Sequence, residues 1–243
     1  MSPSSHPAGE AQHDPPRVQA PRLKAEAAAA LDRDGCMVLT GVIPADWIAP
    51  LRSAFEAGYR PPGEWPVPRG PEFRHAMVDA DPFVQRVCRL PAVLAAAAHI
   101  IGQPFFLAQV EGREPRAGLG HQKLHRDGHG GPHRVLSALA FLDPFGPENG
   151  ATRVAPGTHN GEPADGRMAE SRARFIKGNA GDILLIDTEV LHGGSRNISG
   201  APRRSLLFTY FAEVSLADHL RTRSMRGVGM EVAEIFVPAL LAG

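Results

Sequence analysis

From Gly102 onward the chain is a succession of short apolar runs, each bounded by Gly, Pro, Asn or Asp. They read P-F-F-L-A-Q-V-E-G, V-L-S-A-L-A-F-L-D, A-T-R-V-A, R-F-I-K-G, G-D-I-L-L-I-D-T and R-S-L-L-F-T-Y-F. Runs of this length with turn residues between them are strand signals. Six of them at near-regular spacing point to a double sheet or barrel, not to a parallel sheet with crossover helices. The expected fold is therefore mostly β with helical additions.

The front of the chain differs. L-K-A-E-A-A-A-A-L-D-R-D predicts a helix closed by Gly35, and C-M-V-L-T a short strand. A second helix is expected between Pro44 and Gly58, kinked or split at Pro50, and a third over 81–101, interrupted near Pro91 and closed by Gly102. Between them, residues 59–80 are rich in Pro and Gly and read as a long irregular segment. Residues 1–21 have almost no large apolar side chains and read as a disordered tail. The rest, 22–243, reads as one domain: a helical front (22–102), a β core (103–212) and an extension (213–243) with a terminal helix over 232–241.

Composition excludes some partners. The 26 basic and 26 acidic residues balance, so no overall field favours nucleic acid or an anionic membrane. There is no signal-peptide pattern and no apolar run long enough for a membrane span. Cys36 and Cys88 offer neither a disulfide framework nor metal-ligand spacing. A cytoplasmic location is the expectation. Oligomeric state has no signature.

The chemistry concentrates in H-Q-K-L-H-R-D-G-H-G-G, residues 121–131. His125 and Asp127 are at i and i+2, so in extended chain both side chains project from one face. A histidine and a carboxylate are two of the three ligands of a facial triad. His192, in V-L-H-G-G-S-R-N after an apolar strand, is the candidate third, with two glycines that would admit close approach. Histidines recur every four residues at 121, 125, 129 and 133, but the glycines and Pro132 among them exclude a helical ladder. His129 and His133 are then loop residues near the site, and His159 has a structural hydrogen-bonding role. Eleven residues beyond His192, Arg203 shares a face with Ser205 at the start of the last strand. A guanidinium fork beside a hydroxyl is a receptor for a carboxylate. Arg204 alternates to the other face.

The ordered set H-R-D, P-E-N-G-A-T-R-V-A-P-G-T-H, G-D-I-L-L-I-D-T-E-V-L-H-G-G and R-R-S resembles the phytanoyl-CoA dioxygenase family. The likeness covers residues 103–212 best, and Q-K-L-H-R-D with E-N-G-A-T is similar to a branch of natural-product tailoring enzymes. The resemblance implies a double-stranded β-helix, a cupin-like jelly-roll. It implies Fe(II) held by His125, Asp127 and His192, and 2-oxoglutarate held by Arg203 with Ser205 assisting. Gln122 and Thr152 match positions that contact the cosubstrate. The implied reaction consumes O2, converts 2-oxoglutarate to succinate and CO2, and oxidises a small molecule, most simply by hydroxylation. Desaturation, epoxidation and cyclisation share this chemistry. In related halogenases a small residue replaces the carboxylate, so Asp127 favours oxygenation over chlorination.

Two rivals are a non-catalytic metal-binding jelly-roll and a nucleic-acid demethylase. The anion receptor argues against the first, and the balanced charge against the second. Candidate substrate walls are Arg113, Arg116, Lys123 and Arg134 on one side, and Tyr59, Arg60, Trp65, Phe73 and Arg74 on the other.

Overall fold

The computed structural model describes residues 15–127, 133–161, 166–222 and 232–239. Its first strand, β1 (Arg17–Ala20), is followed by α1 (Ala25–Asp34), which ends as expected at Gly35. Gly35 adopts φ +67°, and its N–H donates to the Leu31 carbonyl. β2 (Cys36–Leu39) continues directly, and a short turn of 3-10 helix at Ala45–Trp47 leads into α2 (Ile48–Gly58). Pro50 lies in the first turn of α2, where its missing N–H has no intrahelical acceptor to lose, so the helix begins there and is not broken.

The segment expected to be irregular contains β3 (Tyr59–Arg60) and β4 (Phe73–Ala76). They are short and separated by prolines, so no local periodicity announces them. The third helical region divides into α3 (Pro82–Val87) and α4 (Pro91–Ile101). Asp81 caps the first by accepting from Phe83 and Val84 N–H, and Gly102 at φ +68° closes the second.

The strands that follow are β5 (Phe105–Pro115), β6 (Leu136–Phe141) and β7 (Thr152–Val154). After α5 (Gly166–Arg172) come β8 (Arg174–Phe175), β9 (Ile183–Asp187), β10 (His192–Gly194) and β11 (Ser205–Ala212). α6 (Leu216–Arg221) and β12 (Ile235–Pro238) complete the described chain. The large sheet runs β1-β12-β5-β11-β6-β9-β2, with β4 also pairing β5 and β3 pairing β4; the small sheet runs β10-β7-β8. All pairings are antiparallel except β1 with β12.

The central strands are apolar along their whole length because both faces of the large sheet are covered. On β6, Leu136, Ala138 and Ala140 join the core against α2, α3 and α4, while Leu139 and Phe141 point inward toward the small sheet. β9 and β11 alternate in the same phase: Ile183, Leu185, Leu206 and Phe208 face the helices, and Leu184, Ile186 and Leu207 face inward. This two-layer β core with helices on one face is the expected jelly-roll.

Two expectations at the ends are corrected. The tail assigned to residues 1–21 contains β1, and residues 1–14 lie outside the described residues. The helix expected over 232–241 is instead β12, its I-F-V-P sequence favouring extended chain. The two strands pair with each other, Arg17 with Ile235 through Ala20 with Pro238. A partner more than 200 residues away leaves no local trace.

Candidate metal centre and anion pocket

A cavity of ≈ 260 Å³ lies between the inner face of the large sheet and the small sheet. His125, Asp127, His192, Arg203, Gln122 and Thr152 all line it.

His192 opens β10, and the 120–127 segment is laid against it. His125 N–H donates to the His192 carbonyl (2.9 Å), and His192 N–H returns the bond (3.0 Å). Asp127 N–H is held by the Thr188 carbonyl (3.1 Å). The two glycines after His192 make this apposition possible. A Cβ on Gly193 would sit 2.8 Å from the Lys123 carbonyl oxygen, and one on Gly194 2.5 Å from that of Gly120. What they admit is the neighbouring backbone, where close approach of a ligand was expected.

The result is three ligand groups around one point. Asp127 Oδ1 lies 3.3 Å from His125 Nε2, and Oδ2 lies 3.3 Å from His192 Nε2. One ligand atom from each residue falls within 4.8 Å of the other two. Both rings are fixed from behind: His125 Nδ1 donates to the Lys123 carbonyl (2.8 Å) and His192 Nδ1 to the Val190 carbonyl (2.9 Å). A carbonyl can only accept, so each Nδ1 carries a hydrogen, and each ring turns its Nε2 inward, where the nitrogen can share a proton with Asp127 or, once deprotonated, offer a lone pair to a metal. Burial alone would raise the Asp127 carboxyl, but hydrogen bonds and charge from the two imidazoles hold it well below the usual carboxylate range. The Asp127 hydrogen bond raises His125 in turn. Two inward imidazole nitrogens and an ionised carboxylate are a donor set for a divalent transition metal such as Fe(II).

Arg126, between the first two ligands, points the other way. Its Nε donates to the Glu189 carbonyl (2.7 Å) and its Nη2 to the Thr158 carbonyl (2.6 Å). Thr158 Oγ1 in turn accepts from Leu191 N–H (2.9 Å). This side chain ties the His125–Asp127 segment to the turn that carries His192. Nothing in its sequence position flagged the role, because the acceptors are backbone atoms of distant turns.

At the other end of the cavity, Arg203 is only 3% exposed and stacks on Phe145, its guanidinium carbon 4.5 Å from the ring centre. Its Nε and Nη1 are buried without a hydrogen-bond partner. Burial, then the nearby Arg113 charge, pull its pKa down to about 9, against the opposing Glu114. A buried cation with donors unmatched is costly unless an anion arrives to pair with it. Arg204 shows the contrast. It holds Asp143 through Nε (2.8 Å), Nη2 (3.0 Å) and its backbone N–H (2.9 Å), and reaches Glu56 at 3.1 Å.

The remaining candidates divide. Gln122 Oε1 accepts from Gly194 N–H (3.1 Å), and Thr152 sits on β7 opposite Gly194. Ser205 is not brought to the cavity wall: it is fully buried, and its hydroxyl donates to the Arg113 carbonyl (2.7 Å) on the adjacent strand. His129 lies outside the described residues. His133 Nδ1 accepts from Gln103 Nε2 (3.1 Å), and His159 Nε2 donates to the Asp32 carbonyl (3.1 Å) at the end of α1. Of the expected substrate walls, Phe73 and Arg113 line the cavity. Arg134 is paired with Asp187, and Trp65 is buried against His75. Ser137, Leu139, Ile186 and Leu207 also line the cavity, and the alternating phase of their strands is the signal that could have found them.

The fold has counterparts among known proteins. Among solved structures, HygX from Streptomyces hygroscopicus, with nickel, 2-oxoglutarate and hygromycin B bound, superposes with a TM-score of 0.62. It is 21% identical, with 79% of this chain and 88% of that chain covered. EctD from S. alaskensis with bound Fe gives 0.65 at 24% identity, with 78% and 77% covered. At these identities the likeness establishes the fold. In sequence, the multifunctional dioxygenase ausE of Penicillium brasilianum is 26% identical over 235 residues, 80% of this chain and 75% of the relative. L-proline trans-4-hydroxylase of Streptomyces griseoviridis is 29% identical over 176 residues, 56% of this chain and 65% of the relative. A model of the phytanoyl-CoA dioxygenase (PhyH) family matches residues 31–205, which include both candidate histidine ligands, Asp127 and Arg203. The chain belongs to the phytanoyl-CoA dioxygenase family of iron(II)- and 2-oxoglutarate-dependent dioxygenases.

Proposed function

We propose that this dioxygenase holds Fe(II) with His125, Asp127 and His192, anchors 2-oxoglutarate with Arg203, and hydroxylates a small molecule in natural-product biosynthesis. The observation that carries the assignment is the buried Arg203 guanidinium, whose Nε and Nη1 lack an acceptor within the chain and which opens onto the same cavity as the three ligand groups. The distal carboxylate of 2-oxoglutarate would supply the missing acceptors, within the cavity that His125, Asp127 and His192 also line. Gln122 and Thr152 line the same cavity and would hydrogen-bond the same molecule within it. Ser205 acts one step removed, through the strand that carries Arg113.

When bound, iron(II) supplies the redox chemistry that couples O2 and 2-oxoglutarate to substrate oxidation, with succinate and CO2 released. The chain's own residues provide the rest. The Lys123 and Val190 carbonyls hold the imidazole rings in one orientation. Leu139, Ile186 and Leu207 keep the inner wall apolar, so the carboxylate–guanidinium pair forms away from bulk water. Small-molecule oxidation in secondary metabolism is supported by the relatives: ausE is a multifunctional dioxygenase, and HygX was solved with hygromycin B. Among the described residues, no helix is long and apolar enough to cross a membrane.

The test is succinate release with Fe(II), 2-oxoglutarate and O2, alongside anaerobic titration of 2-oxoglutarate into metal-loaded protein. Saturable binding that is lost in Arg203→Gln is the expected result. No binding and no succinate would overturn the reading.

A further inference from the structure

One cationic side chain in the cavity is left unused by this reading. Arg113, on β5, stands directly across from Ser205 and lines the same cavity as Arg203. Its setting is different. The Arg113 side chain is 27% exposed, and the His125 and Asp127 side chains are each 38% exposed, whereas Arg203 is closed in at 3%. Arg113 is thus more open to solvent than Arg203, as are two of the three ligand groups, and it lies near enough to both Arg203 and His125 for its charge to act on each.

The charge count on this wall is uneven. Arg113 Nη2 donates to Glu111 Oε1 (2.8 Å), but the fully buried Glu111 also receives Arg69 Nη2 at 2.6 Å. One guanidinium already balances that carboxylate, so the second is surplus. Arg113 Nε is buried with no partner, and its guanidinium carbon lies 5.6 Å from the centre of the Phe73 ring, itself part of the cavity wall. A surplus guanidinium against an aromatic face matches a planar carboxylate attached to an apolar ring.

We propose that Arg113 and Phe73 form the substrate-recognition wall, and that the substrate carries a carboxylate which Arg113 reads. The inference rests on the assignment of Arg203 to 2-oxoglutarate, which leaves Arg113 as the second anion site. Arg113 is a specificity residue, and its loss is expected to act on substrate and not on cosubstrate.

The probe is benzoate, with methyl benzoate as its neutral match, titrated calorimetrically into the full chain loaded with Ni(II) and 2-oxoglutarate. Saturable, millimolar-range benzoate binding without methyl benzoate binding is expected. Arg113→Gln should weaken benzoate about tenfold or more while changing 2-oxoglutarate affinity less than about threefold, because one charge-assisted contact is removed from one ligand only. Arg113→Lys should restore part of it. Arg116→Gln removes a nearby charge outside the cavity and should leave benzoate binding intact. Phe73→Leu, which keeps every charge, should weaken it less than Arg113→Gln. The proposal falls if benzoate does not bind, if methyl benzoate binds equally, or if Arg113→Gln retains full benzoate affinity. It also falls if Arg113→Gln weakens 2-oxoglutarate as much as Arg203→Gln does. Failure of the wild-type chain to bind 2-oxoglutarate would instead sink the reading beneath it.

Discussion

The two ends of the cavity are prepared for their guests in opposite ways. At the triad, each outward-facing Nδ1 is satisfied by a carbonyl of the chain, and the inward Nε2 atoms and the Asp127 carboxylate pair with one another. Groups that pair with one another cost little while they wait. At the Arg203 end, by contrast, the chain buries a full positive charge and leaves donors without acceptors. That end stores an unpaired charge until an anion enters. The same protein thus has one end that is stable empty and another that is strained empty.

The largest expected effect tests the triad end. His192→Ala or Asp127→Ala leaves two protein ligands, and metal affinity should fall by well over ~100-fold, since even altering an outer-shell partner costs ~10–100-fold. The apo protein's melting temperature should fall more for Asp127→Ala, which takes the partner from both imidazoles, than for His192→Ala, which leaves the His125 pair. Titration with Co(II), read by its visible absorption, checks the first point and calorimetry the second. Retained stoichiometric metal binding would mean the ligands are misassigned.

Next comes the pair Arg203 and Arg204, adjacent in sequence and opposite in role. Arg203→Gln should weaken 2-oxoglutarate by about 100-fold, equivalent to ~2.7 kcal/mol. Arg203→Met should stabilise the empty protein by about 1–3 kcal/mol, because an unpaired buried charge is replaced by an apolar chain. Arg204→Gln should do the reverse: cosubstrate affinity unchanged, stability lower by about 2 kcal/mol through loss of the Asp143 pair. Urea unfolding of the three apo variants reads the stability terms, and a loss of stability in Arg203→Met would refute the strained-empty description.

The wall behind Arg113 gives a pH-dependent counterpart. Burial, only partly offset by Glu111, holds the His75 imidazole down at about 4. In the unfolded chain His75 takes up a proton near pH 6.5, whereas in the folded chain it does not until about 4. Its contribution is therefore intact above pH 6.5 and is lost as pH falls toward 4, by roughly 3 kcal/mol. His75→Gln should flatten that acid limb relative to wild type, and equal slopes would refute it.

The smallest effect sharpens the triad end again. Arg126→Gln removes the double clamp on the Glu189 and Thr158 carbonyls, so metal affinity should fall about tenfold with 2-oxoglutarate affinity at Arg203 unchanged. Co(II) titration at fixed 2-oxoglutarate checks it. Equal losses for both ligands would mean that Arg126 supports the fold as a whole.

The sequence by itself determined a great deal here. Strand runs bounded by turn residues, helices closed at Gly35 and Gly102, and the i, i+2 projection of His125 and Asp127 are local properties, carried by residues close together in the chain. His192, after an apolar strand and before two glycines, and Arg203, sharing a face with Ser205, are candidates on their local sequence, and the order of the motifs matches a family pattern. What only the tertiary structure decided depends on partners far apart in sequence. β1 exists because β12 lies beside it, and β4 because β5 accepts it. Ser205 turns to the Arg113 carbonyl and not to the cavity, and the glycines after His192 make room for Gly120 and Lys123. The surplus charge of Arg113 follows from Arg69 reaching the same buried carboxylate across 42 residues of chain. Local sequence sets which atoms each segment can offer. Whether an offered atom is satisfied or left waiting is settled only when distant segments pack against it, because hydrogen bonds and charge pairs depend on distance in space.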